Sequence, residues 1–386
     1  MSDLLLLDRR LVQVIRWSLY IFAAAMPFAI ALTQIAVGVA ILAWLGRILY
    51  TQGAKWPRLG VEWGFIAFIA AELLACAFST NLGQNVIYLK RLLLIPIVYL
   101  VAANSTGEEE LRRLGIIFVA AIFLYSAWGI VSYFLNPAVR VRHIQNSMTA
   151  GGITMVGAVT AAAFAVRLKE ARSRLLMLAA GVVILGCLVL TSTRGSWVGF
   201  FAAALLILLV QNRKLIWSLP LLILAFYLVQ PGDFAWRMRH MFDPGWGTNA
   251  KRIHWWSVGW EIFKDHPLVG IGDVGTTQMY ARYAPAGEKE LVGHFHSNYV
   301  HIAVTLGSIG LAAFLLMTVV ILVRLARSLQ ARLGARDWGG GWTLAALAVF
   351  VAFCLNGFFE WNFGDQEIIT MVWFATGAGL GQLHHG

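Results

Sequence analysis

Long apolar runs separated by short polar breaks recur along nearly the whole chain. A run of about 20 apolar residues crosses hydrocarbon as a helix, so the pattern predicts about twelve transmembrane helices. The expected segments are Arg16 to Ile30, Gln34 to Tyr50, Val61 to Phe78, Ile87 to Ala103, Gly115 to Leu135, Thr149 to Leu168, Leu175 to Thr191, Trp197 to Val210, Leu215 to Val229, Ser297 to Val323, Trp342 to Phe358 and Glu367 to Leu383. The first two form one hydrophobic stretch from Trp17 to Tyr50, too long for a single helix, and the expected break falls after Pro27, near Thr33. Arg9, Arg10 and Arg16 precede an apolar run as in a signal peptide, but the run continues without a cleavage site and reads as an uncleaved first helix.

One interruption stands out. Between Pro231 and His296 the composition shifts to Trp, Arg, Asp, Gly and Pro. The chain therefore divides into residues 1–229 with helices 1 to 9, residues 230–296 as a long outer loop, and residues 297–386 with helices 10 to 12. Together they form one integral membrane domain. A loop of this length is uncommon unless it works as a lid or binding loop. Part of it has helical periodicity: Ile253, Trp256, Trp260 and Phe263 recur at three and four residues, as in an amphipathic helix lying at a membrane interface. The Gly270-Ile271-Gly272-Asp273-Val274-Gly275 match to a dinucleotide-binding pattern lacks the strand–helix context and reads as tight turns.

Composition reinforces the pattern: 59% hydrophobic and 13% charged residues, with mean hydropathy +0.72, exclude an ordinary soluble domain. The excess of 30 Lys and Arg over 19 Asp and Glu is then a statement about orientation rather than nucleic-acid binding. Arg9, Arg10, Arg16, Arg47, Lys55, Arg58, Arg112, Arg113, Arg167, Lys169, Arg172, Arg174, Arg213, Lys214, Arg324, Arg327, Arg332 and Arg336 fall on one side if both termini are cytoplasmic. The loop of residues 230–296 then faces outward. Cys76, Cys187 and Cys354 all fall inside expected helices, so no disulfide framework is implied. The inner loops are short and basic, which leaves no room for a nucleotide-hydrolysing domain.

The remaining basic residues gather at the outer face and suit an anionic ligand. Arg194, in Thr191-Ser192-Thr193-Arg194-Gly195-Ser196, and Arg252 in the loop are candidates to hold phosphate oxygens through their planar forks. Arg140 and Arg142 with His143, and Lys90 with Arg91, are supporting candidates. His294 and His296 sit where the loop re-enters the membrane; His296 suits a general base, since imidazole titrates near ~6.5. Asn298 is a candidate to orient the pair, and His301, one turn further, reads as a satisfied core histidine. Glu360, Asp365 and Glu367 crowd the last outer loop, where they can orient the histidine, bind acceptor sugars or pair with the arginines. Two histidines two apart, without H-E-x-x-H or Cys/His spacing, give no metal signature.

The chain resembles the O-antigen ligase and polymerase superfamily of bacterial envelope enzymes. The resemblance rests on Ser192-Thr193-Arg194-Gly195, on Arg252 with the Trp-rich segment leading to His266-Pro267-Leu268-Val269-Gly270-Ile271-Gly272, and on His294-Phe295-His296-Ser297-Asn298-Tyr299 with Leu306-Gly307-Ser308-Ile309-Gly310. The family more often has asparagine directly after the second histidine, where this chain has Ser297. The resemblance implies transfer of a glycan from undecaprenyl pyrophosphate to an acceptor hydroxyl at the periplasmic face of the inner membrane, without metal or other cofactor. For a ligase the acceptor is the lipid A core oligosaccharide; for a polymerase it is another lipid-linked glycan. A transporter or flippase for an anionic solute is the more distant alternative, disfavoured because charges gather at the outer ends, with Glu72 the main exception.

Overall fold

The computed structural model describes residues 2–79, 82–136, 141, 145–211, 213–218, 220, 221, 223, 224, 243–273 and 275–384. Regular structure among the described residues is helical, without strands. In chain order the helices are α1 (Ser2–Ala25), α2 (Ile30–Gly46), α3 (Glu62–Ala77), α4 (Leu82–Tyr88), α5 (Pro96–Asn104), α6 (Glu108–Leu135) and α7 (Ser147–Arg167). They continue with α8 (Ala171–Thr191), α9 (Arg194–Gln211), α10 (Gly247–Asp265), α11 (Thr276–Tyr283), α12 (Asn298–Ala331), α13 (Trp338–Asn356) and α14 (Gln366–Leu380).

Eight helical segments among these residues are long and apolar enough to cross a membrane: Ile30–Thr51, Asn85–Asn104, Glu108–Leu135, Ser147–Arg167, Ala171–Thr191, Arg194–Gln211, Asn298–Ala331 and Trp338–Asn356. The chain is thus an all-α polytopic membrane protein. Three further expected spans coincide with α1, α3 and α14. The first carries Asp8, Arg9 and Arg10 in its leading half and Arg16 beyond it, and the other two have 16 and 15 residues, short for the hydrocarbon thickness. The expected span Leu215 to Val229 lies largely outside the described residues, as do Arg140, Arg142 and His143.

Proline sets two boundaries. The long first stretch breaks between Ala25 and Ile30, around Pro27 and a turn earlier than Thr33, which lies inside α2. Pro96 opens α5 at its first position, where a missing N–H is harmless, and the preceding turn, Leu89–Leu94, tightens to a 3₁₀ helix carrying Lys90 and Arg91.

α7, α13 and α14 form the buried centre. α7 packs on α8, α9 and α13, and α12 packs on α3. Small residues permit this closeness: a Cβ added at Gly152 of α7 would lie 2.2 Å from the side chain of Ile368 in α14. Basic side chains tie down one end of the bundle, where Arg324 donates to Leu59 O at 2.8 Å, Arg47 pairs with Asp8 at 3.0 Å and Arg332 with Asp337 at 3.0 Å. The opposite end is built from the loops after α1, before α7, before α12 and between α13 and α14. There Gln145 donates to Pro27 O at 3.3 Å, and Asn298 to Asn362 at 2.5 Å.

α12 is broken at Gly307, which adopts φ +66° and ψ −167°. The break frees backbone groups that hydrocarbon cannot satisfy, and the loop after α10 supplies their partners. Ser308 N donates to Pro267 O at 2.8 Å and Ile309 N to Leu268 O at 3.2 Å, while Ile271 N reaches Val304 O at 3.1 Å and Gly272 N reaches Thr305 O at 2.8 Å. Gly270 (φ +67°) lies so close that a Cβ there would stand 2.4 Å from the Thr305 carbonyl. The two glycine-containing motifs of the sequence are therefore one structural device, a discontinuous membrane helix closed by the loop. Positive φ at Gly270, Gly272 and Gly275 also accounts for those glycines as turn residues.

Candidate functional site

α10 organises one side of the site. Its buried stripe is Trp255, Val258, Gly259 and Ile262, packed on Phe295 and Val304. This corrects the face expected from periodicity: Ile253 and Trp260 are 47% and 58% exposed. The helix carries two neighbouring apolar stripes, and Phe295, just before α12, selects one of them. Trp256 is tied by its indole N–H to Phe295 O at 2.8 Å. The outward stripe with its tryptophan retains the composition of an interfacial helix.

His296 lies at the turn into α12, in the left-handed region at φ +47°, uncommon for a residue with a side chain. Its ring stacks on Trp255 with centroids 4.9 Å apart and planes inclined by 25°. His296 Nδ1 lies 3.2 Å from Glu360 Oε2, and Glu360 Oε1 accepts a hydrogen bond from Arg252 Nη2 at 2.5 Å. A carboxylate oxygen only accepts, so this contact places the proton on Nδ1 and leaves Nε2 with its lone pair. The stacking and the carboxylate together fix the ring's plane and tautomer, the arrangement that makes an imidazole a directed base.

Asn298 plays a different part from the one expected. Its side chain joins Asn362 and accepts from Phe363 N at 3.0 Å, while its backbone N–H donates to Gly357 O at 2.7 Å. It pins α12 to the α13–α14 loop, which in turn carries Glu360. Ser297 serves as the N-cap of α12. The carboxylate against His296 is Glu360, which combines two of the three roles that the sequence leaves open for it, contact with the imidazole and pairing with an arginine.

His294 sits beside His296, with ring centroids 4.2 Å apart, and His294 Nδ1 accepts from His296 N at 3.4 Å. Burial pushes the His294 imidazole down to about 4, and the neighbouring His296 adds to this while Glu360 opposes it. His294 is therefore neutral at physiological pH. A base depressed on folding stabilises the fold fully above its unfolded value near ~6.5 and loses that contribution as pH falls toward 4. Thermal stability should accordingly drop on acidification through this window, and His294→Gln should flatten the dependence; an unchanged slope in the variant would remove His294 as its cause.

Arg194 opens α9 and crosses to the first turn of α10, donating to Thr248 Oγ1 at 2.5 Å and Asn249 Oδ1 at 2.9 Å, with its guanidinium 4.7 Å from the centre of the Trp246 ring. The preceding Ser192 takes φ +53° at the end of α8, which turns the chain sharply into α9. Thr248, Arg252 and Trp255 recur at helical spacing, so one face of α10 spans from Arg194 to His296. Lys90 is exposed, whereas Arg91 is held between Glu72 and Asp273, the latter at 2.6 Å, with the rings of Trp361 and Phe363 each 5.9 Å away. Glu72, the one charge expected at depth, is thereby paired, and the trio clamps the loop after α10 onto α3.

Two cavities meet at His294, Trp361 and Gly364. The larger, about 1000 Å³, has Lys90, Arg91, Asp273 and His301 at one end and Val37, Ile41, Leu42, Leu93 and Leu94 along its wall. This combination suits an amphiphile with a polar head and a long apolar chain. His301 is buried against Trp361, ring centroids 4.0 Å apart, and its Nδ1 has no hydrogen-bond partner among the described residues. It is not the satisfied core histidine expected from its position. The smaller cavity, about 200 Å³, is bordered by Glu360 and by polar residues of α7, α13 and the α13–α14 loop.

Residues 178–315 match the family model described as O-antigen ligase. No curated protein matches the chain closely enough to count as a relative. The matched segment contains Arg194, Arg252, His294 and His296, while Glu360 lies beyond it.

Proposed function

We propose that the chain, whose residues 178–315 match the O-antigen ligase family model, is an O-antigen ligase of the ligase/polymerase superfamily. It moves O-antigen polysaccharide from undecaprenyl pyrophosphate to a hydroxyl of the lipid A core oligosaccharide. One observation carries the reading: a single helix face connects Arg194 to the Arg252–Glu360–His296 relay.

In the proposed reaction His296 Nε2 takes the proton from the acceptor hydroxyl as its oxygen attacks the anomeric carbon. The bond from that carbon to the pyrophosphate oxygen breaks, and undecaprenyl pyrophosphate leaves with the electron pair. Attack opposite the leaving group inverts the anomeric configuration. Arg194 and Arg252 offset the negative charge gathering on the diphosphate. Glu360 holds the imidazole and balances the positive charge it acquires. The large cavity accommodates the lipid chain along its apolar wall, with Lys90 at the polar mouth. Both substrates are membrane-anchored and reach the site laterally.

The basic end of the bundle supports placement of both termini in the cytoplasm and of the histidine end at the periplasmic face of the inner membrane. In this reading residues 1–229 and 297–386 frame the site, and the segment 230–296 closes over it as a periplasmic loop.

A deletion strain tests the reading. Uncapped core lipopolysaccharide with polymer retained on its lipid carrier is expected; core bearing single repeat units would instead assign the polymerase reaction. Complementation with Arg194→Lys should restore less than about a tenth of the capped product, because an ammonium cannot reproduce a bidentate phosphate contact. Full restoration would remove Arg194 from the diphosphate site.

A further inference from the structure

The large cavity has a polar end of its own, and neither Arg194 nor Arg252 borders it. The first turn of α11 opens onto this cavity through Gly275, Thr276, Thr277 and Gln278. Gly275 offers no side-chain cap, and its carbonyl accepts from Met279 N at 2.8 Å. The N–H groups of Thr276, Thr277 and Gln278 therefore have no acceptor within α11, and they carry the positive end of its dipole. Lys90 is exposed and borders the same cavity. Arg91 and Asp273, also in its border, are bound to each other at 2.6 Å.

His301 supplies an independent observation. It is 4% exposed and borders the cavity, with its ring against Trp361. Neither ring nitrogen has a hydrogen-bond partner among the described residues; Nδ1 is enclosed, which leaves Nε2 as the nitrogen open to the cavity. A proton on Nδ1 would be sealed from any acceptor, so it belongs on Nε2, which then presents an N–H to whatever fills the space. Shared neighbours bring this ring and α11 together. The Phe295 ring lies 6.0 Å from His301 and 6.3 Å from Tyr280 of α11, and Arg91 links Trp361 to Asp273, two residues before Gly275. Backbone N–H, imidazole N–H and ammonium groups are all donors, the complement of phosphate oxygens. The apolar wall indicates what the phosphate is attached to. Leu42 and Leu93 border the cavity and yet are 71% and 70% exposed, so the wall continues onto the outer surface of two candidate membrane spans.

We propose that this end of the cavity binds the phosphate of a lipid, with His301 Nε2, the first-turn N–H groups of α11 and Lys90 donating to its oxygens and the chain lying along the wall toward Leu42 and Leu93. The assignment rests on the reading that the cavity takes the lipid-linked donor. It adds a set of donors for the lipid-side phosphate, distinct from Arg194 and Arg252. His301 binds there, and no bond is made or broken on it.

The test is native mass spectrometry of the detergent-solubilised full chain, with geranylgeranyl phosphate as probe and geranylgeraniol and inorganic phosphate for contrast. The probe should bind the wild type saturably and more tightly than either contrast. His301→Phe keeps a ring against Trp361 and removes the donor; it should weaken the probe by about tenfold or more, the loss expected of a hydrogen bond to a charged group, and leave geranylgeraniol unchanged. His301→Gln, whose amide N–H reaches toward the place of Nε2, should recover most of the affinity. Lys90→Gln, at an exposed position, should weaken the probe by about threefold and keeps the proposal testable should His301→Phe fail to fold. The site is overturned if the probe binds no better than geranylgeraniol, if inorganic phosphate binds as tightly, or if binding is indifferent to both His301→Phe and Lys90→Gln. Glycan transfer by the wild type alongside any of these results leaves the ligase reading standing. His301-dependent binding of the probe without glycan transfer removes the ligase reading and keeps the site.

Discussion

Replacing His296 with alanine is expected to lower glycan transfer by about 10²- to 10⁴-fold, the range associated with a positioned general base. Membrane insertion and thermal stability should change little. The imidazole is only partly enclosed, at 17% side-chain exposure, and its contacts are a stacked Trp255, the His294 ring and one carboxylate, so truncation leaves no large apolar cavity. Its partner Glu360 keeps Arg252 as a counter-ion in the variant, which avoids a stranded buried charge. The loss should appear mainly in kcat, because the proton moves only in the transition state and binding of either lipid substrate does not require it. Transfer in the variant within about threefold of wild type would eliminate His296 as the base.

Gly307→Ala is expected to produce the largest loss of folded protein among single-methyl additions. The φ/ψ pair of +66° and −167° belongs almost solely to glycine, at a cost of about 1–3 kcal/mol for other residues. The added Cβ would also lie 2.2 Å from Leu268 O and 2.5 Å from Val269 N, and Leu268 O itself accepts from Ile309 N of the broken helix. Neither effect can relax without undocking the loop that carries Asp273 and closes the site. A fall of at least several degrees in the thermal transition of detergent-solubilised protein is expected. Gly38→Ala in α2, where a Cβ meets nothing within 4 Å, should be neutral or slightly stabilising. Equal behaviour of the two variants would show that the break in α12 is not a structural constraint.

Much of this site is legible from sequence because its chemistry is rare in such surroundings. Charged and imidazole groups at the ends of apolar runs mark themselves, and Arg194, Arg252, His294 and His296 all lie at one end of the bundle. Proline likewise reports the break around Pro27 through the backbone alone. Other features depend on approach in space. Glu360 lies 64 residues beyond His296, and no local pattern distinguishes an orienting carboxylate from a solvated one. Trp255 belongs to one of two adjacent apolar stripes on α10, and only Phe295 decides which is buried. The glycines of residues 267–310 look like independent turns until the loop backbone is seen to complete the hydrogen bonds of α12.

The central claim is that His296, held by Glu360, transfers a proton while Arg194 and Arg252 hold the leaving diphosphate. Its most direct test is reconstitution of the full chain in lipid bilayers with undecaprenyl-pyrophosphate-linked O-antigen and lipid A core, with products followed by mass spectrometry. Polymer-bearing lipid A core and free undecaprenyl pyrophosphate should appear in equal amounts with the wild type and fall by at least about a hundredfold with His296→Ala. No transfer by the wild type, or equal transfer by the variant, would contradict the account.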